Sequence, residues 1–253
     1  MAEIARARAT IEVRAKQWHA REQAEYEAKL AARAAKTAAT DKKLGGRPPA
    51  PPVEGPLATD QVNSTDEDSR IMRVPGGGFE QCYNAQATVA AGSLLVVAAD
   101  VVQAPNDKQQ LEPMLNQIAD LPEALGEVGE LLADNGYFSE GNVNACAPAG
   151  IDPVIAMRRE AHHLLLEERF AEPPPPPQHP TPLAAISHWL TTPEGKQRYA
   201  LHKQIPEPVF GIIKSALGFR QFLLRGLDNV RGEWNLVTMV WNMKRLFVLV
   251  AAN

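Results

Sequence analysis

Residues 83–102 read YNAQATVAAGSLLVVAADVV. Two runs rich in apolar and β-branched residues, Tyr83–Val89 and Leu94–Val102, flank the turn-forming Ala90-Ala91-Gly92-Ser93, and that pattern predicts an antiparallel hairpin. After Pro105-Asn106-Asp107, the spacing of Leu111, Met114, Leu115 and Ile118 predicts a helix over 108–120 with Asp107 as its N-cap. Leu131-Leu132-Ala133-Asp134 reads as a short buried strand ending in an acid. A helix from Ser139 to Ala147 and a strand from Pro153 to Met157 continue the alternation, which is that of an α/β fold.

Upstream the character changes. Residues 1–44 read as a helical arm, with Ile4, Ile11, Trp18 and Tyr26 at seven- or eight-residue spacing. It reads either as a solvated or loosely docked helix or as a DNA-contacting or dimerising arm. Residues 45–75 form a Pro/Gly-rich linker, because successive prolines remove donors and fix φ. Within it and just beyond, 58–80 is polar and turn-rich, and Gly76-Gly77-Gly78 suits a turn better than a phosphate loop. The expected domain runs from 76 to 253, interrupted by a proline-rich spacer at 172–182.

The chain's 253 residues, 45% hydrophobic and 22% charged, are enough for one sizeable core. A net charge of −4 hides an uneven distribution. From Lys196 onward, Lys196, Arg198, Lys203, Lys214, Arg220, Arg225, Arg231, Lys244 and Arg245 face only Glu207, Asp228 and Glu233. Local clustering of that kind, more than net charge, governs attraction to nucleic acid. Cys82 and Cys146 suggest neither a zinc site nor a disulfide framework, and no apolar run is long enough to span a bilayer. The expected location is the cytoplasm.

Glu207 stands alone among basic residues in 199–227, and it shares a helical face with Lys214 two turns on. A lone carboxylate amid cations suits a divalent ion held beside a phosphate backbone. Tyr199, Lys203, Glu207 and Lys214, at this spacing, resemble the C-terminal catalytic signature of DDE-type transposases of bacterial insertion sequences. The blocks at 83–89, 96–107, 131–139 and 241–246 resemble further family blocks in family order. The family often carries Arg where this chain has His202.

The resemblance implies a ribonuclease H-like α/β domain that cleaves and joins DNA strands. It implies Asp134 and Glu207 as catalytic acids and metal ligands, for two Mg2+ or Mn2+ ions in a complete site. Tyr199, His202, Lys203, Lys214, Arg220 and Arg225 would contact DNA. Alone, Asp134-Asn135-Gly136 reads simply as an acid capping a turn. Asp100 and Asp107 read as surface or hydrogen-bonded acids, and His162 and His163 as solvated. Trp234, Trp241, Phe219 and Phe222 read as packing residues, not base stackers.

The family's first acid belongs on a strand before the hairpin, and no such apolar strand is legible upstream of Tyr83. The expectation is therefore an incomplete domain whose partners are the double-stranded ends of an insertion sequence and a second copy in a homodimer. The alternative is a catalytically inactive DNA-binding or interaction remnant.

Overall fold

The computed structural model describes residues 2–40, 45–74, 76–156, 174–178 and 180–251. The expected hairpin is its centre. Strand β3 (Asn84–Val89) pairs antiparallel with β4 (Val96–Val102), from Asn84 opposite Val102 to Val89 opposite Val96. At its tip Leu94 adopts φ 59°, a left-handed conformation that costs a branched residue about 1–2 kcal/mol. Leu94 is offset by its place in the core, and its carbonyl accepts a bond from the Trp241 indole at 2.8 Å.

Helices cover the hairpin because two strands alone leave backbone groups and apolar faces exposed. The long helix α7 (Leu227–Ala251; intervening helices are given below) turns Val230, Trp234 and Trp241 towards the strands. Its polar side chains complete the strand edges. Asn242 receives Val96 N at 2.8 Å through Oδ1 and donates Nδ2 to Val96 O at 2.7 Å, as a neighbouring strand would. Trp234 donates to Gln86 O, Arg245 to Ser93 O, and Arg231 to both Asp100 and Val101 O. Asp100 is thus the hydrogen-bonded acid the sequence suggested. Helix α6 (Pro206–Ser215) adds Val209 and Ile213 to this core, and Phe210 stacks on Trp234.

A second core joins Ala98 to helix α2 (Leu111–Ala119), helix α3 (Glu140–Cys146) and the parallel pair β5 (Glu130–Ala133) and β6 (Asp152–Ile155). All four apolar residues expected on α2 are buried, and Ser139 caps α3 through Asn142 N. Helices α4 (Pro182–Trp189) and α5 (Pro193–Ala200) start on Thr caps followed by Pro, a favoured helix opening. Helix α1 (Ala2–Thr40) fulfils the N-terminal helical reading.

Two expectations need correction. The polar stretch before Tyr83 contains a hairpin, β1 (Arg70–Arg73) on β2 (Phe79–Cys82), turned by Gly76, Gly77 and Gly78, all at positive φ. Of β1 only Met72 is buried, so there was no apolar alternation to reveal it. Asp107 is not the cap of α2, whose N-cap is Gln110. The strands described form three two-stranded sheets. Met157, His162, His163 and part of the proline-rich spacer lie outside the described residues.

Candidate functional site

Strand β5 stops at Ala133, and Asp134 opens a 3-10 turn over Asn135–Tyr137 by accepting Gly136 N at 2.7 Å. Asn135 donates to Ala156 O, tying the turn to the end of β6. Asp107, in the loop after β4, meets this turn. A Cβ placed on Gly136 would lie 2.9 Å from Asp134 Oδ1 and 3.1 Å from Asp107 Oδ2. The two carboxylates therefore converge on one glycine, which fits because it has no side chain.

Asp107 is held from its other side. Its Oδ1 accepts Asn84 Nδ2 and Gln86 Nε2, each at 2.8 Å. Gln86 is only 3% exposed, and its carbonyl oxygen accepts the Tyr137 hydroxyl. One buried amide thus joins the hairpin, the Asp107 loop and the Asp134 turn. Burial, reinforced by the Asp107 and Asp134 charges, pushes the Tyr137 phenol well above its ordinary range. It stays a neutral donor at physiological pH.

The sequence reading missed Asp107 as a neighbour of Asp134. A signal was present: Asn84 and Gln86 are polar residues two apart, hence on one face, of a strand that is otherwise apolar. Buried polar side chains of that kind need partners.

Glu207 lies in the exposed first turn of α6, where the helix dipole favours a negative charge. Lys214 lies on the last turn. Neither has an ion-pair or hydrogen-bond partner among the described residues. Lys214, Arg220, Arg225 and Arg73 line one groove of about 940 Å3, with Asp66 and Asp107 on its wall.

The loop presenting Arg220 and Arg225 is fixed through its backbone. Glu233 accepts Leu223 N and Leu224 N, all at 3.0 Å. Asp66 accepts Gly226 N at 3.2 Å and both its oxygens receive the Tyr83 hydroxyl, while Asp68 accepts Leu227 N at 3.0 Å. Acids that could have neutralised the arginines bind peptide N–H groups instead, and Arg220 and Arg225 stay exposed and unpaired among the described residues.

Tyr199 is half-buried on α5 and does not line this groove. The adjacent Arg198 pairs with Glu130 at the start of β5, the end opposite Asp134. His202 and Lys203 lie in the 3-10 turn Leu201–Gln204, and their side chains are outside what is described. Trp234, Trp241, Phe219 and Phe222 pack against the hairpin, as read from the sequence.

A family model described as the transposase DDE domain matches residues 64–243. The chain belongs to the DDE transposases. No curated protein and no solved structure gives a significant match. The matched span of this transposase includes β1–β2 and the acids Asp66 and Asp68, upstream of the expected boundary at residue 76.

Members of this family typically use divalent metal ions, and their substrate is DNA. Oxygen donors from Asp134 and Asp107 suit a hard cation. Among the described residues no group of three or more His, Cys, Asp or Glu could hold one. No helix among the described residues is long and apolar enough to cross a membrane.

Proposed function

We propose that this transposase domain engages duplex DNA at insertion-sequence ends and supplies two acids, Asp134 and Glu207, to metal-dependent strand cleavage and joining. One observation carries the reading: Lys214, Arg220 and Arg225 line a single groove without acidic partners among the described residues. Unpaired cations on a pinned loop suit phosphates, because neutralising them releases condensed counterions without first breaking an internal ion pair. Tyr199, His202 and Lys203 would extend this contact along the chain that leads into α6.

Asp134 and Glu207 would be the cation ligands, although among the described residues the carboxylate that stands beside Asp134 is Asp107 and the three acids do not form one group. A divalent cation would activate the attacking water or 3′-hydroxyl and stabilise the leaving oxygen. The protein's own part is to hold DNA by its phosphates and to fix the Asp134 turn beside Asp107. We read the fold as ribonuclease H-like from its strand–helix order and family. We divide the chain into an arm at 1–44, a linker, and a domain beginning near 64, since β1 pairs with β2 across residue 76.

Binding to duplex DNA should be sequence-tolerant and should weaken steeply with salt. Each of Lys214→Ala, Arg220→Ala and Arg225→Ala should reduce the slope of log K against log salt by about 1. Unchanged slopes in all three variants would reduce the groove to a solvated surface. Because two-metal chemistry uses a third carboxylate, the 253-residue chain alone should bind DNA yet leave it unnicked in Mg2+ or Mn2+. Nicking abolished by Asp107→Asn would instead make Asp107 that third acid and refute the inactive-remnant alternative.

A further inference from the structure

The loop between α6 and α7 sends its aromatic side chains inward and its leucines outward. Phe219 and Phe222 meet edge to face with ring centroids 5.5 Å apart, and both pack beside Trp234. Leu223, by contrast, is 74% exposed and Leu224 51%. Outside the last helix, no large apolar side chain described is more exposed than Leu223. Single exposed leucines are ordinary. These two differ in how they are held and in what surrounds them.

Glu233 accepts the N–H groups of Leu223 and Leu224 themselves, at 3.0 Å. Phe222 anchors the chain before them, and Asp66 and Asp68 bind Gly226 N and Leu227 N after them. The loop is thereby restrained from turning its leucines into the core, which burial would otherwise favour. Arg220 and Arg225 bracket the pair, both exposed, and line the groove with Lys214. The stretch from Arg220 to Arg225 spans at most about 18 Å. At 3.4 Å per base step, the two arginines therefore reach phosphates within about five steps of each other. An apolar side chain projecting between two such cations suits entry into the base stack, because the cations hold the backbone on either side while the methyl groups replace base–base contact.

We propose that Leu223 is a wedge that opens one base step of the duplex held in this groove, with Arg220 and Arg225 on the flanking phosphates. The inference rests on the reading of the groove as a duplex-DNA site, and it gives Leu223 a part in distorting that DNA, not in gripping it. Insertion of this kind senses how easily a step deforms and does not read base edges, so binding stays tolerant of sequence while favouring DNA that opens cheaply. A mismatched pair is such a place, since it costs less to unstack.

Anisotropy titrations of the full chain test it, comparing a continuous duplex with one that differs only in a central mismatch. A 2-aminopurine beside the mismatch reports unstacking by its fluorescence. The wild type should bind the mismatched duplex about tenfold more tightly than the continuous one and brighten the probe. Leu223→Ala should cut that preference to within about twofold and leave the probe dark, while the salt slope stays, because leucine neutralises no phosphate. Leu223→Phe, still large and apolar, should keep both the preference and the brightening. Salt-dependent binding without mismatch preference in the wild type, or a preference that survives Leu223→Ala, overturns the wedge and leaves the groove reading standing. A wild type with no salt-dependent binding removes both. Loss of the salt slope in Leu223→Ala would make Leu223 a support of the loop's shape, which also overturns the proposal.

Discussion

Gly136 sits where two negative groups approach one backbone atom. Replacing it with Ala places a methyl 2.9 Å from Asp134 Oδ1 and 3.1 Å from Asp107 Oδ2, and both carboxylates must retreat. We expect Gly136→Ala to destabilise the fold by about 1–3 kcal/mol and to weaken Mn2+ binding, followed by chemical denaturation and calorimetry. Wild-type stability and metal affinity together would mean the two acids are not held as close as described. Tyr137 supplies a pH signature. Its phenol is raised above its ordinary value of about 10 in the fold, first by burial and then by the Asp107 and Asp134 charges. The unfolded phenol therefore loses its proton first, so this contribution is complete below pH 10 and is lost as pH rises towards the folded value. Tyr137→Phe should flatten the loss of stability above pH 10. An unchanged alkaline limb would show that Tyr137 does not carry it.

The hairpin, α2, α3, β5 and β6 were legible because their apolar residues follow the period of the element they build, as Leu111, Met114, Leu115 and Ile118 do. The β1–β2 hairpin was not, since it buries only Met72 and consists mainly of polar residues. The catalytic reading rested on sequence blocks around Asp134 and Glu207. The meeting of Asp107 with Asp134 depends on a loop returning to a turn, which no local period encodes. The last helix illustrates the same limit. Its packing face could be read, whereas the pairing of Asn242 with both polar groups of Val96 required the fold. Asn242→Leu leaves those two groups unpaired and should cost about 2–4 kcal/mol. Trp234→Ala, which removes a 2%-exposed indole and its bond to Gln86 O, should cost about 3–5 kcal/mol. Chemical denaturation orders the two, and a loss below about 1 kcal/mol in both would show that α7 is not what holds the hairpin.

A chain with net charge −4 can still present an electropositive groove if its acids are occupied elsewhere. Here Asp66, Asp68 and Glu233 bind the backbone N–H groups of the loop and helix start that carry Arg220 and Arg225. Bulk electrostatics and loop geometry then make opposite forecasts for Glu233→Ala. Removing a negative charge should by itself raise affinity for DNA, modestly and less so in salt. Releasing Leu223 N and Leu224 N should free the loop, so Arg220 and Arg225 must be ordered anew on each binding event. Loss of a charged acceptor for two peptide groups outweighs one screened charge at the rim, because such hydrogen bonds are worth about 1.5–3 kcal/mol. We expect Glu233→Ala to bind duplex DNA about three- to tenfold more weakly at moderate salt. Fluorescence anisotropy against labelled DNA reads this directly. Tighter binding would show that Glu233 acts as an opposing charge and that the arginine loop holds its shape without it.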